Sequence, residues 1–148
     1  MTIRTMTIED YENVYTLWKT ISGFGIRSID DSKDGIRRFL NRNPTTSVVA
    51  EIQGKIVGSI LCGHDGRRGS FYHVCVDQNY RRYGIGKAMV VYAMKKLKEE
   101  EISHVSLIAF AENNIGNAFW NTTGWKERSD LNYYDFILNE DNITAFNG

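Results

Sequence analysis

With 148 residues, 42% of them hydrophobic and one proline among them, the chain can bury one substantial core and is expected to form a single domain over residues 1–148. Its 18 basic and 18 acidic residues cancel, which argues against nucleic acid as a partner, because that affinity rests on clustered excess positive charge. No basic-then-apolar leader and no apolar stretch of spanning length stand in the sequence, so the expectation is a cytoplasmic protein with no membrane partner.

In chain order, residues 2–6 alternate briefly and predict a first strand. Thr7 followed by Asp10 offers a helix N-cap, and Ile8, Tyr11, Val14, Tyr15 and Trp18 then recur at helical spacing. Residues 22–28 hold two glycines and read as a loop. A short second helix is predicted over 32–40, with Pro44 beyond its end. The period then changes to strand-like. Residues 47–52 and 55–62 are apolar, β-branched runs separated by Gln53-Gly54, a tight hairpin signal. Cys62 and Cys75 both lie in apolar runs, where a free cysteine acts as a small hydrophobe. A turn at 63–69 leads into a strand over 70–77. A glycine-bearing loop and a strong helix over 84–100 follow, with Ile85, Ala88, Met89, Tyr92 and Leu97 as its apolar stripe. Beyond it come an apolar strand over 104–110, a short helix over 114–122 closed by Gly124, and a last strand over 133–138. This order predicts an α/β (α+β) fold, a mixed antiparallel and parallel sheet with helices on both faces.

The informative segment is the strand over 70–77 running into Arg81-Arg82-Tyr83-Gly84-Ile85-Gly86-Lys87 at the start of a helix. Glycine lets the backbone approach closely, the first amides of a helix lack partners, and the helix dipole favours negative charge. Arg81, Arg82 and Lys87 add local positive charge in a chain with none to spare. A pyrophosphate fits that chemistry. A Walker loop needs Ser or Thr after Gly86-Lys87, and Ala88 stands there. A Rossmann fingerprint needs a third glycine where Met89 stands. The plainer alternative is a helix start with solvated arginines.

Residues 81–86 resemble the Q/R-x-x-G-x-G/A signature of the GNAT N-acetyltransferase superfamily, in its usual place between that family's fourth strand and third helix. Asn113-Asn114-Ile115-Gly116-Asn117-Ala118-Phe119-Trp120, ending in Gly124-Trp125, resembles the family's second segment, N-x-x-A-x-x-L-Y-x-x-x-G-F. The turn His64-Asp65-Gly66-Arg67-Arg68-Gly69-Ser70 is most similar to small bacterial members of the YpeA type. The resemblance implies the GNAT acyl-CoA N-acyltransferase fold and transfer of an acetyl group from acetyl-CoA to a primary amine, on a small molecule or on a protein N-terminus or lysine, without a metal, by a monomer or homodimer. It implies that the backbone of Val74, Cys75 and Val76 pairs with the pantetheine arm and that amides from Arg82 through Tyr83, Gly84, Ile85 and Gly86 to Lys87 hold the pyrophosphate, with Arg81 beside them. Asn113 would hydrogen-bond the arm or the nearby chain, and Trp120 would line the same site. Read from the residues alone, Val74, Cys75 and Val76 are a buried strand.

Two positions depart from the family pattern. Trp120 stands where many relatives carry a tyrosine that protonates the leaving thiolate, and an indole N–H cannot serve as that acid. Ile108 stands where the ribosomal-protein-acetylating branch has a glutamate base. His73 is a candidate base, since histidine ordinarily titrates near neutrality; the alternative is a strand histidine with no chemical role. Tyr134 is a candidate proton donor from the last strand. Phe24, Arg27, Asp30, Asp31 and Tyr133 are candidates for acceptor specificity, with Asp30-Asp31 otherwise read as a solvated charge pair. The rival to catalysis is a non-catalytic acyl-CoA binding or sensing domain.

Overall fold

The computed structural model describes residues 1–148, in the order β1 (Thr2–Thr5), α1 (Tyr11–Thr20), β2 (Gly25–Arg27), α2 (Lys33–Arg42), β3 (Val48–Ile52), β4 (Lys55–His64), β5 (Gly69–Val76), α3 (Ile85–Glu99), β6 (Val105–Leu107), α4 (Asn114–Thr122) and β7 (Thr144–Phe146). Two compact units result. One is Met1–Leu107 with Asp141–Gly148; the other is Ile108–Glu140. No helix is long and apolar enough to cross a membrane.

The larger unit holds a five-stranded sheet in the order β1-β3-β4-β5-β6. β1, β3, β4 and β5 pair antiparallel, and β6 joins β5 in parallel. The hairpin between β3 and β4 turns at Gln53 (φ 49°) and Gly54 (φ 78°), both left-handed as a two-residue turn of this kind requires.

Successive residues of a strand point to opposite faces, and β4 shows what covers each. Ser59 accepts a hydrogen bond from the Trp18 indole of α1 at 2.9 Å. On the opposite face, a Cβ added to Gly58 would meet Met89 of α3 at 2.9 Å. The α1–α2 side buries Met6, Val14, Leu17, Trp18, Ile36, Leu40, Val49, Leu61 and Cys75 in one cluster. The sheet is thus covered on both faces, as the order of elements predicts. Cys62 and Cys75 are buried free thiols, and burial pushes them up to about 12 and about 11, so neither is a nucleophile at neutral pH.

α1 is entered through a single turn of 3-10 helix, Ile8–Asp10. Asp10 closes a capping box, its carboxylate accepting from the Thr7 amide at 2.9 Å, and also takes both terminal nitrogens of Arg4 at 2.8 and 2.9 Å. Burial pushes the Asp10 carboxyl up, but the Arg4 and Thr7 hydrogen bonds outweigh it and hold it below its ordinary value. A carboxylate depressed on folding adds stability above its unfolded range, and that stability is lost as pH falls through the folded value. Asp10→Asn is expected to cost about 2 kcal/mol at neutral pH. The gap between variant and parent in urea denaturation should close in acid.

The prediction of a plain loop over 22–28 is corrected. β2 lies inside it and pairs antiparallel with β7, Gly25 opposite Phe146 and Arg27 opposite Thr144. Neither run is long enough to show its period, and each finds its partner at the far end of the chain.

In the smaller unit, Asn113 caps α4 by accepting from the Gly116 amide at 3.1 Å, and Gly124 (φ 94°) follows its last turn. The Trp120 ring lies 4.9 Å from both Phe119 and Trp125, edge to face. The predicted last strand over 133–138 does not form. That segment carries no helix or strand, and Tyr133, Tyr134, Phe136, Ile137 and Leu138 are exposed. Apolar residues on nearly every position mimic a buried strand, but a strand exists only with a neighbour to pair with.

Candidate active site

β5 pairs along its whole length with β4, from Gly69 to Val76, but with β6 only over Gly69, Ser70 and Phe71. Its edge on the β6 side therefore parts from that strand beyond Phe71, at Tyr72 through Val76. Within that stretch the register slips. Leu61 opposes Tyr72 and Ser59 opposes Cys75, so His73 and Val74 together face the single residue Ile60. This is a bulge in β5, and His73 carries its strain with φ 49°. A left-handed histidine costs on the order of 1 kcal/mol or more, so the surroundings must hold it there.

They do so from three directions. The Ser59 hydroxyl, which takes the Trp18 N–H, donates to the His73 carbonyl at 3.1 Å. The imidazole packs against both Trp18 and Phe24, with ring centroids 4.6 and 4.7 Å away. Its Nε2 is 2.8 Å from Oδ1 of Asp31. Asp30-Asp31 is not a solvated pair, because Asp31 is buried. Its side chain is 5% exposed and Oδ2 accepts from the Arg27 amide at 2.7 Å. Asp30 is exposed and accepts from the Asn142 side-chain amide. Asp31 is held in place by α2, whose Gly35 packs so closely on the Ile29 and Asp30 carbonyls that any side chain would collide with them.

β5 runs on into the loop that opens α3. Asp77 closes its first turn by accepting from the Asn79 amide, and Arg81 donates to the Val76 carbonyl at 3.2 Å. Arg82 (φ 73°) and Gly84 (φ 75°) are left-handed, which turns the chain sharply before the helix. The first bond of α3 runs from the Ala88 amide to the Gly84 carbonyl. The amides of Ile85, Gly86 and Lys87 therefore precede any intrahelical acceptor and are donors for an anion, with the helix dipole behind them. Arg81, Arg82, Tyr83 and Lys87 are exposed around them, whereas the Ile85 side chain is 2% exposed and belongs to the core. Nothing lies within 4 Å of a Cβ built on Gly84, so the approach is open. Donor amides, local positive charge and open space suit a pyrophosphate.

The larger unit thus brings together His73, Val74, Cys75, Val76 and residues 81–87. Asn113, Trp120 and Tyr134 belong to the smaller unit. Tyr134 was expected on a strand and lies instead on an irregular segment, 87% exposed. Trp120 is half-buried in its aromatic trio. Trp120→Phe is expected to keep most of the activity, because the ring packs and the indole N–H is no acid. A phenylalanine variant that binds coenzyme A normally yet has no turnover would contradict this.

In the larger unit the β5 edge that parts from β6 beyond Phe71 therefore runs directly into the anion-receptive start of α3. Residues 9–125 match the model of the acetyltransferase (GNAT) family, and the chain belongs to that family. Its reaction is acetyl transfer dependent on acetyl-CoA. An acetyltransferase of Sodalis glossinidius is 36% identical over 114 residues, covering 77% of this chain and 79% of that protein. Among solved structures, Ard1 from Thermoplasma volcanium aligns with a TM-score of 0.72 at 22% identity, over 83% of this chain and 80% of that one. The PaiA N-acetyltransferase from Thermoplasma acidophilum in complex with coenzyme A aligns at 0.73 and 16% identity, over 99% and 97%.

Proposed function

We propose that this protein moves the acetyl group of acetyl-CoA onto a primary amine, carried by a small molecule or by a protein N-terminus or lysine. The observation that carries this reading is the β5 edge left by β6 beyond Phe71, continuous with the amides that open α3. The backbone of Val74, Cys75 and Val76 would pair with the pantetheine arm as an added strand does. Amides from Arg82 to Lys87 would hold the pyrophosphate, with Arg81, Arg82 and Lys87 compensating its charge. Asn113 and Trp120 are assigned to the same role on family resemblance. The thioester supplies an activated acyl group whose thiolate leaves with a pKa not far from that of a cysteine thiol. What the protein adds is orientation, amides near the developing oxyanion, and His73 as a proton acceptor.

The reading includes a single-domain, cytoplasmic enzyme acting as a monomer or homodimer without nucleic acid, consistent with the balanced charge. An amine library incubated with acetyl-CoA and followed by free-thiol release tests it. Thiol release with at least one amine is the expected result. Acetyl-CoA binding by calorimetry with no release from any amine would make the chain a non-catalytic acyl-CoA sensor instead.

A further inference from the structure

We propose that Asp31 is a positioning residue that fixes the tautomer and orientation of His73 for proton transfer, an inference that rests on the acetyl-transfer reading above. Nε2 of His73 and Oδ1 of Asp31 are 2.8 Å apart, and the two side chains are 10% and 5% exposed. The carboxylate is itself fixed, since Oδ2 accepts from the Arg27 amide at 2.7 Å and the Asp31 carbonyl accepts from the Tyr11 hydroxyl at 2.7 Å. The ring packs against both Trp18 and Phe24. An ionised carboxylate only accepts hydrogen bonds, so it selects the imidazole with its proton on Nε2 and leaves Nδ1 as the acceptor. A base oriented by a third group is the arrangement that nucleophile activation uses.

The same histidine forms the bulge next to Val74, Cys75 and Val76, so the base directly adjoins the strand edge proposed for the acyl carrier. During transfer the amine nitrogen bonds to the acetyl carbon and gives a proton to Nδ1, directly or through one water. The C–S bond breaks with its electron pair on sulfur. The proton then passes from Nδ1 through solvent to the thiolate, returning the ring to its starting form. The titratable and charged groups around the ring are Asp31, Tyr11 of α1 through the Asp31 carbonyl, Arg27 of β2 through its amide, and Cys75 of β5 through Ser59. Of these, Asp31 is the one hydrogen-bonded to the imidazole.

The test uses the full chain and an amine found by thiol release. The chain has three histidines, so 15N spectra of the ring nitrogens, compared with His73→Gln, identify the His73 signals. The wild-type ring is expected to carry its proton on Nε2. In Asp31→Asn the side-chain amide can donate to Nε2, which moves the ring proton to Nδ1 and should lower kcat about tenfold to hundredfold with the amine KM little changed. The acidic limb of the kcat/KM profile should move in that variant, and adding Asp31→Asn to His73→Gln should slow the enzyme no further. A wild-type ring protonated on Nδ1 overturns the proposal even if Asp31→Asn does not fold, as does an Asp31→Asn variant whose pH profile is unchanged. If no amine releases thiol while the ring is in the expected tautomer, the acetyl-transfer reading falls and this inference falls with it.

Discussion

Replacing Trp18 by alanine is expected to destabilise the protein by about 3–5 kcal/mol, the range for deleting a fully buried large aromatic ring. Trp18 is 0% exposed and packs in the α1–α2 core with Val14, Leu17 and Leu61. The loss extends beyond the cavity. Its N–H donates to Ser59, whose hydroxyl supports the His73 carbonyl, and its ring packs against the His73 imidazole. Trp18→Phe keeps most of the ring and loses the hydrogen bond, so about 1–2 kcal/mol is expected from urea denaturation. The histidine geometry should suffer in both variants, and turnover should fall further than stability alone explains. A Trp18→Phe enzyme with parental stability would show that the indole–Ser59–His73 chain contributes nothing.

Gly86→Val is expected to lower coenzyme A affinity at least about a hundredfold, roughly 2.7 kcal/mol, by setting a β-branched side chain where the pyrophosphate must approach. The choice of Gly86 over Gly84 follows from the backbone. Gly84 has φ 75°, so a side chain there strains the turn before any ligand is considered. Gly86 lies in the first turn of α3, where exchanging glycine for valine costs the fold nothing in helix propensity. The melting temperature should therefore hold while calorimetric binding collapses. Arg82→Ala should cost only about 1–2 kcal/mol of binding, as for one charge-assisted contact. Unchanged coenzyme A binding by Gly86→Val would refute the phosphate-loop assignment.

What the sequence discloses here is what is written locally. Gln53-Gly54 names its own turn, Thr7 with Asp10 names the start of the first helix, and 81–87 shows its glycines and arginines in one run. What it hides depends on partners far along the chain. The pairing of β2 with β7 joins two three-residue strands, too short for any period to register. His73 and Asp31 stand 42 positions apart, so no spacing rule links them. The bulge that aims His73 is a matter of register between β4 and β5, to which composition is blind. The segment over 133–138 errs the other way, since apolar residues suggested a strand that has no neighbour.

The closing of β2 by β7 has a kinetic side. Ser28 bonds to the Asp141 carbonyl, and Asn142 accepts from the Ile29 amide, each across 113 positions of sequence. The meander of β3, β4 and β5 closes through short turns, whereas the seam at β2 must gather nearly the whole chain before its first contact forms. Loop-closure entropy and contact order place such a seam late in folding. The stretch from Phe24 to Asp31, with its contacts to His73, is therefore the last part of the larger unit to set and the first to fray. Amide exchange should be fastest there among its paired strands. That stretch can open and reclose while the central sheet stays folded.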